Sequence, residues 1–138
     1  MDEKQRMLSR VPLFARCGGR SLEEIGKLAD EIDVKDGTEL MHEGRPGGEF
    51  FVIVDGRVRI ERGGKVIATL GQGDFLGEIA LIDGGPRTAT AVADGPARLL
   101  VVAHREFHTL MADYPDIRLE ILQALAERVR KLEPEAPI

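Results

Sequence analysis

The chain has 138 residues and a net charge of −5, with five phenylalanines, one tyrosine, no tryptophan and a single cysteine. This length is typical of one domain, and no segment is basic or aromatic enough for direct nucleic-acid binding, which we therefore do not expect. Cys17 is the only cysteine, which excludes an intramolecular disulfide and a metal site built from several thiolates. No apolar run is long enough for a secretory signal or a membrane span, so we expect a cytoplasmic protein that does not bind membranes.

The first 30 residues are predicted to be helical. A short helix and a tight turn are expected between Met7 and Phe14, where Pro12 interrupts an apolar face. Ser21 and Glu24 have the spacing of a capping box. Apolar residues then follow at helical spacing, which predicts a helix over about residues 22–30.

The middle of the chain has the pattern of short strands joined by glycine turns. Twelve of the 16 glycines lie between Gly37 and Gly85, and the apolar period there changes to two. A turn is predicted at Asp36-Gly37, and hairpins are predicted at Asp55-Gly56 and at Gly63-Gly64. Regularly spaced short strands favour a β-sandwich or barrel of jelly-roll type. The expected strands lie at residues 32–34, near 40, and at 50–54, 58–60, 66–70, 89–92 and 99–102.

The last third returns to helical spacing. Phe107, Leu110 and Met111 predict one short helix. Pro115 is expected at the first position of a second helix, which continues to Glu133 and is ended by Pro134. The order of helices, strands and helices predicts an α+β fold that is mainly β.

Residues 73–90 fit neither the strand nor the helix period. Glu78 is a lone acid among apolar residues, Gly77 permits a close backbone approach, and residues 77–82 are predicted to form one helical turn. The start of such a turn favours an anion, and the guanidinium of Arg87 has the donors to hold a phosphate. Together these groups describe a sugar-phosphate pocket. A structural ion pair between Glu78 and Arg87 explains the same residues equally well.

The segment Phe75-Leu-Gly-Glu-Ile-Ala-Leu-Ile82, followed by Pro86-Arg-Thr-Ala-Thr90, closely resembles the phosphate-binding cassette of the cyclic nucleotide-binding domain family. The resemblance covers nearly the whole chain. Val11–Phe14 is similar to the family's initial turn, Asp36–Gly44 to its first hairpin and Phe50–Val58 to its next.

The resemblance implies one domain over residues 1–138 with a jelly-roll β-barrel, also called a double-stranded β-helix. It is expected to comprise N-terminal helices over residues 1–30, a barrel over 31–103 that contains the cassette at 73–90, and C-terminal helices over 104–133. A DNA-binding regulator would require a helix-turn-helix after the last helix, and we expect none in these 138 residues.

The family resemblance also implies roles for the cassette residues. Glu78 would accept a hydrogen bond from the ribose 2′-hydroxyl, and Arg87 would hold the cyclic phosphate. Backbone N–H groups of Gly77, Ala80 and Thr88 would complete the phosphate site, which is also expected to include Ile79 and Ala89. The base is expected to lie on apolar strand residues, with Ile60, Ile67 and Leu70 as candidates by alternation.

The expected function is that of a sensor, not an enzyme, which binds cAMP or cGMP, needs no other cofactor and acts on an unidentified effector protein. The hydroxyl of Thr88 resembles that of members that favour cGMP, but it could equally bond the phosphate or the local backbone, and we expect cAMP. The alternative is a protein-interaction or dimerisation module that works without nucleotide.

Two other patterns allow more than one interpretation. His104 and His108 have the spacing of metal ligands on a helix, but no third ligand is evident and no metal is expected. Apolar residues also follow three-four-three spacing on the last helix. We expect this stripe to pack against the chain's own barrel; otherwise it covers the nucleotide, forms a homodimer seam, or does both. Its members are Leu122, Leu125, Val129 and Leu132.

Overall fold

The computed structural model describes residues 2–132, and it divides into two compact units. One unit comprises Lys27–His108, and the other comprises the residues up to Gly26 together with those from Thr109 onward. The helices are α1 (Glu3–Ser9), α2 (Gly19–Leu28), α3 (Glu78–Asp83), α4 (His104–Asp113) and α5 (Pro115–Leu132), with a 3₁₀ turn at Pro12–Phe14. The strands are β1 (Asp30–Val34), β2 (Glu39–Met41), β3 (Phe50–Asp55), β4 (Val58–Arg62), β5 (Lys65–Leu70), β6 (Phe75–Leu76), β7 (Thr90–Ala93) and β8 (Ala97–Val102).

The strands form two antiparallel sheets of four, in the orders β1-β8-β3-β6 and β2-β7-β4-β5. This is the strand order of an eight-stranded jelly roll, so the predicted fold class is confirmed. The inward-facing side chains form an apolar core, since alternate residues of each strand point to the same face. The buried residues of this core are Phe51, Ile53, Val58, Leu76, Ala91, Ala97 and Leu99.

Of the two hairpins predicted at glycine turns, one is wrong and one is confirmed. Asp55-Gly56 leads from β3 into β4, but β3 pairs with β8 and β6 whereas β4 pairs with β5 and β7. The predicted turn at Asp36-Gly37 is present, and it leads from β1 in one sheet to β2 in the other. Turn residues specify a chain reversal but not the partner of the next strand. At Gly63-Gly64 the predicted hairpin forms, with Val58 opposite Leu70 and Arg62 opposite Lys65.

The predicted capping box at Ser21 and Glu24 is wrong, because α2 begins two residues earlier at Gly19. Ser21 is buried within the helix, and its hydroxyl donates a hydrogen bond to Glu120 Oε1 of α5 at 3.1 Å. A capping box occurs instead at α1, where Asp2 Oδ1 accepts from the Gln5 amide at 2.7 Å. The tertiary partner of Ser21 therefore replaces the local role that its spacing predicts.

The α5 helix has one buried face and one exposed apolar face. Ile117, Ile121 and Ala124 are buried. The predicted apolar stripe is not on the buried face of the helix. Leu125 is half-buried, but Leu122, Val129 and Leu132 are 56%, 55% and 76% exposed. The buried face of α5 is therefore formed by residues other than these three members of the predicted stripe. The predicted helix end at Glu133 and Pro134 lies outside the described residues.

Candidate functional site

The cassette helix α3 is a single short helix between two glycines. Gly77 has a φ of 84° and Gly84 a φ of 63°, a left-handed conformation that glycine adopts without a Cβ penalty. Leu81 N donates to Gly77 O at 3.1 Å and Gly84 N to Ala80 O at 2.7 Å, which closes the helix at both ends. Glu78, its first residue, is buried, with 6% of its surface exposed. The predicted helical turn over residues 77–82 is confirmed.

The backbone of Arg87 is held by the loop between β2 and β3. Gly44 N donates to Arg87 O, and Arg87 N donates to Arg45 O, both at 2.9 Å. The next residues along each segment, Pro46 and Pro86, form a bridge of their own. The cassette arginine is therefore fixed by strand-like pairing, although it lies between α3 and β7 outside any named strand.

The side chain of Arg87 is almost fully buried, with 4% exposure. Its Nη2 donates to the backbone oxygen of Glu49 at 2.8 Å and lies 3.2 Å from Glu49 Oε2. A Cβ on Gly47 would lie 2.8 Å from Arg87 Nε, and one on Gly77 would lie 2.8 Å from Arg87 Nη1. The guanidinium therefore fits between two backbone segments that only glycine leaves open.

The burial of Arg87 and the hydrogen bonds of its guanidinium determine how it could interact with an anion. Burial lowers the pKa of Arg87 from its ordinary value, and the charge and hydrogen bond of Glu49 oppose that shift. Among residues 2–132, the buried Nη1 has no hydrogen-bond partner. A buried cationic donor without a partner is costly, and an oxyanion placed against it would supply the missing hydrogen bond.

A cavity of about 270 Å³ opens beside these groups. Its lining contains six of the seven residues predicted for the site, namely Gly77, Glu78, Ile79, Ala80, Arg87 and Thr88. Ala89, the seventh, is buried and does not line it. The lining also includes Met41, Asp83, Gly85 and Pro86, which sequence reasoning missed.

Some of these missed residues could have been predicted from the sequence, and others could not. Asp83, Gly85 and Pro86 lie within the predicted cassette segment, residues 73–90, so a site prediction that took in more of this segment would have included them. Met41 belongs to β2, and Glu49, the partner of Arg87, precedes β3. Nothing in their local pattern connects either residue to the cassette, because their proximity depends on the strand order.

The residues proposed to contact the base lie outside this cavity. Ile60 and Leu70 are partly buried and pack against the core of the jelly roll, while Ile67 is 49% exposed on β5. Thr88 is exposed, and its backbone oxygen accepts from Arg62 Nε at 3.0 Å. This contact ties the end of the β4–β5 hairpin to the cassette.

The two histidines with metal-ligand spacing bind backbone instead. His104 Nδ1 is 2.8 Å from Leu81 O, and His108 Nε2 is 2.6 Å from Ile82 O. Within residues 2–132, no group of three or more His, Cys, Asp or Glu side chains is placed to hold a metal ion.

No helix within residues 2–132 is both long and apolar enough to cross a membrane.

A comparison with known families identifies the family of this chain. A model of the cyclic nucleotide-binding domain matches residues 31–114, which contain strands β2 to β8, all but the first residue of β1, and the cassette. The chain belongs to the cyclic nucleotide-binding domain family.

Curated members of this family show similarity over most of the chain. A CRP-like cAMP-activated global transcriptional regulator of Mycobacterium tuberculosis is 28% identical over 136 residues, which cover 95% of this chain and 59% of the regulator. A cAMP-dependent protein kinase regulatory subunit of Mycosarcoma maydis is 36% identical over 112 residues, which cover 74% of this chain and 21% of the subunit. The chain thus spans less than two thirds of either relative.

A solved structure of similar size shares the fold of this cyclic nucleotide-binding domain. The N-terminal domain of a transcriptional regulator from Streptomyces coelicolor superposes with a TM-score of 0.85 and 31% sequence identity. The match covers 96% of this chain and 98% of that domain.

Proposed function

We propose that this domain is a sensor that binds one cyclic nucleotide per chain in the cavity beside α3, with cAMP preferred over cGMP. The observation that carries the proposal is the pairing, in one cavity, of a buried arginine that has an unsatisfied nitrogen with a buried glutamate at a helix start. A cyclic nucleotide has one negative phosphate and one neutral ribose 2′-hydroxyl. These are the groups that Arg87 and Glu78 would bind.

In this proposal Arg87 neutralises the cyclic phosphate. Its Nη2 is already engaged with the backbone oxygen of Glu49, which leaves Nη1 to donate to a phosphate oxygen. The first turn of α3 adds backbone donors, because the amides of Ile79 and Ala80 precede the first hydrogen bond within the helix, from Leu81. Both sets of donors line the same cavity.

Glu78 would distinguish a ribose from other sugars. An ionised carboxylate is an acceptor only, so it can accept a hydrogen bond from the 2′-hydroxyl but repels a second phosphate. The proposed pocket therefore selects a nucleotide with a single cyclic phosphate and a free 2′-hydroxyl.

The preference for cAMP rests on the relatives, since the M. tuberculosis regulator and the M. maydis subunit are both named for cAMP. Thr88 lines the cavity and is exposed. Its hydroxyl would form a hydrogen bond with the phosphate or the backbone, so a guanine base would not be needed as its hydrogen-bond partner. The base is proposed to extend past Thr88 toward β5, where Ile67 is exposed.

The proposed output is a change in the C-terminal helix. A ligand transmits a signal only if it binds one arrangement of the protein more tightly than another. We propose that bound nucleotide favours one arrangement of α5, whose exposed apolar face then contacts a second copy of the chain or an effector protein. Relatives named as regulators and regulatory subunits support this non-enzymatic role.

Isothermal titration calorimetry with cAMP, cGMP and 5′-AMP tests the proposal. We expect a stoichiometry of one cyclic nucleotide per chain, a lower Kd for cAMP than for cGMP, and much weaker binding of 5′-AMP, which lacks the cyclic phosphate. The absence of heat and of thermal stabilisation at millimolar cAMP and cGMP would overturn it. Tighter binding of cGMP would overturn only the base preference.

A second candidate function is protein interaction without nucleotide. The observation that favours it is the exposed apolar face of α5, which does not depend on a ligand. A thermal-shift screen separates the two functions, because a ligand that binds only the folded state stabilises it by RT ln(1 + [L]/Kd) and so raises the unfolding temperature. Under this second function neither cAMP nor cGMP would shift the unfolding temperature.

A further inference from the structure

His104 and His108 lie one helical turn apart on α4, and both side chains reach the end of the cassette helix α3. His104 Nδ1 is 2.8 Å from Leu81 O, and His108 Nε2 is 2.6 Å from Ile82 O. A carbonyl oxygen only accepts, so both ring nitrogens donate. These carbonyls belong to the last turn of α3, where the helix has no N–H groups of its own to offer.

The two rings also restrict each other, since their centroids are 4.2 Å apart. His104 is further confined by glycine backbone on two sides. A Cβ on Gly48 would clash with His104 Cβ, and one on Gly84 would lie 3.5 Å from the imidazole ring. The imidazole of His104 therefore has little freedom to leave Leu81 O.

The contacts of His104 and of Arg87 meet in one short segment. Gly48 packs against His104, while the residues on either side of it, Gly47 and Glu49, contact the guanidinium of Arg87. Residues 47–49 thus contact both His104, which binds the end of α3, and the guanidinium of Arg87. A displacement of His104 would disturb the segment that holds the arginine.

The cassette helix is six residues long, and a helix this short is unstable without tertiary contacts. Leu81 is fully buried and anchors one side. The hydrogen bonds to the carbonyls of Leu81 and Ile82 fix the end of the helix, and hence the direction in which its first turn faces the cavity.

We propose that His104 and His108 are positioning residues that hold α3 in the orientation needed to bind the phosphate. This inference rests on the proposed function, because its consequence is a change in nucleotide affinity. The histidines do not touch the ligand: they act through α3. A net hydrogen bond of ordinary strength corresponds to about a two- to tenfold change in an equilibrium constant, which is the effect expected for each histidine.

The two histidines donate from different ring nitrogens, and this difference supplies matched variants. The side-chain amide of Asn places its donor near the position of His Nδ1, and that of Gln places it near the position of His Nε2. His104→Asn and His108→Gln therefore keep the hydrogen bond. His104→Ala and His108→Ala remove it, and the crossed pair His104→Gln and His108→Asn misplaces it. Glu106→Gln, at an exposed residue of the same helix, is the control.

Hydrogen exchange of the ligand-free protein is the first measurement. We expect faster exchange at residues 78–84 in both alanine variants and in the crossed pair, with near-normal protection in His104→Asn, His108→Gln and the control. Thermal unfolding identifies any variant that does not fold. Should His104→Ala not fold, His108→Ala, whose side chain is at an exposed position, provides the same comparison. Unchanged exchange at residues 78–84 in the alanine variants would overturn the proposal.

Calorimetry with cAMP is the second measurement. We expect the Kd to rise about two- to tenfold in each alanine variant and to return within about twofold of the wild type in His104→Asn and His108→Gln. Faster exchange with an unchanged Kd would overturn the positioning role. A wild type that binds neither cAMP nor cGMP overturns the proposed function instead, and the exchange data then decide by themselves whether the histidines hold α3.

Discussion

Arg87 is the residue at which burial, charge and backbone geometry act together. A charge that is 4% exposed is costly unless it is paired and hydrogen-bonded. The backbone oxygen of Glu49 supplies a buried acceptor, while the Glu49 carboxylate is 54% exposed and so contributes a screened interaction. The remaining cost falls on Nη1, which a bound phosphate would satisfy.

Replacement of Arg87 tests this assignment directly. Arg87→Ala should weaken cyclic nucleotide binding by about 2–5 kcal/mol, the range for removal of one partner of a buried charge pair. Arg87→Lys should recover only part of the loss, since an ammonium lacks the planar fork of donors. Glu78→Ala should cost less, because it removes a contact to a neutral hydroxyl.

Calorimetry with each variant measures these differences. Arg98→Ala is the matched control, because Arg98 is an exposed arginine of β8 that pairs with Asp33 at 2.9 Å. Its Kd should equal that of the wild type. A change of less than threefold in Arg87→Ala would show that the phosphate binds elsewhere.

Cys17 illustrates the opposite effect of burial, which makes a side chain unreactive. Burial, with a hydrogen bond to Glu120 and its charge, raises the pKa of the Cys17 thiol from 9.0 to about 12. The thiolate is the reactive form, so at pH 8 alkylation should be roughly a thousandfold slower than for a free cysteine. Iodoacetamide labelling followed by mass spectrometry measures the rate, and labelling as fast as that of the urea-unfolded protein would contradict the expectation.

The same shift predicts a pH dependence of stability. A thiol whose pKa is raised on folding binds its proton more tightly in the native state, so this stabilisation is fully present below pH 9. It is lost as the pH rises from 9 toward about 12. The difference in unfolding free energy between wild type and Cys17→Ala, measured by urea denaturation, should therefore change across this range and stay constant below it.

At the scale of elements, the loop between β2 and β3 matters more for the site than its lack of regular structure suggests. It binds the backbone of Arg87 through Gly44 and Arg45, and it packs Gly47 against the guanidinium. A Cβ at residue 47 would lie 2.8 Å from Arg87 Nε and would force the side chain to move.

Gly47→Ala should therefore weaken cyclic nucleotide binding at least as much as loss of one charge-assisted hydrogen bond, about tenfold or more. The control is Gly71→Ala, because a Cβ there would meet no atom within 4 Å. Both variants should fold, since neither position has a φ that disfavours alanine. Calorimetry that finds equal affinities in the two variants would show that Arg87 tolerates the displacement.

The α5 helix presents a second feature at this scale, an apolar face with the spacing of a coiled-coil seam. Leu119, Leu122 and Val129 are each more than half exposed, and with Ala126 between them they follow a three-four-three pattern. A helix with such a face buries it against another helix where one is available.

We expect the protein to form a homodimer through this face. Leu122→Lys should shift the association equilibrium toward monomer, because a charge would be buried in the seam. Gln123→Lys adds the same charge at the neighbouring exposed position and should leave the equilibrium unchanged. Sedimentation equilibrium measures both, and a wild type that stays monomeric at all concentrations would contradict the expectation.

At the scale of the whole molecule, the candidate site and the proposed output helix belong to different compact units. The cassette lies within Lys27–His108, whereas α5 begins after that unit ends. A sensor requires that ligand binding in the first unit changes the free energy of arrangements in the second.

Hydrogen exchange with and without cAMP tests that coupling, because it reports local opening along the chain. In the free protein we expect α5 to be the least protected of the longer elements, since much of its apolar surface is unpaired. Bound cAMP should raise protection at residues 75–90 and in α5 together. Protection confined to residues 75–90 would leave a binding pocket without a moving part.

The sequence alone determined the features that depend on neighbouring residues. The helical turn after Gly77, the hairpin at Gly63-Gly64 and the last helix from Pro115 were predictable because turn residues, caps and apolar periods act over a few positions. The cassette residues Glu78 and Arg87 were also identifiable, since the segment between them carries a recognisable pattern. Six of the seven residues predicted for the candidate site line one cavity.

Only the tertiary structure decided the features that depend on which elements meet. The partners of β3 and β4, the pairing of Arg87 with Glu49 and the bond from Ser21 to Glu120 join residues that are distant in sequence. A local pattern states that a strand, a charge or a hydroxyl needs a partner, but not which one it finds. The apolar face of α5 is a further example. The sequence shows that its apolar residues share one face of the helix, but whether that face is buried depends on what packs against it.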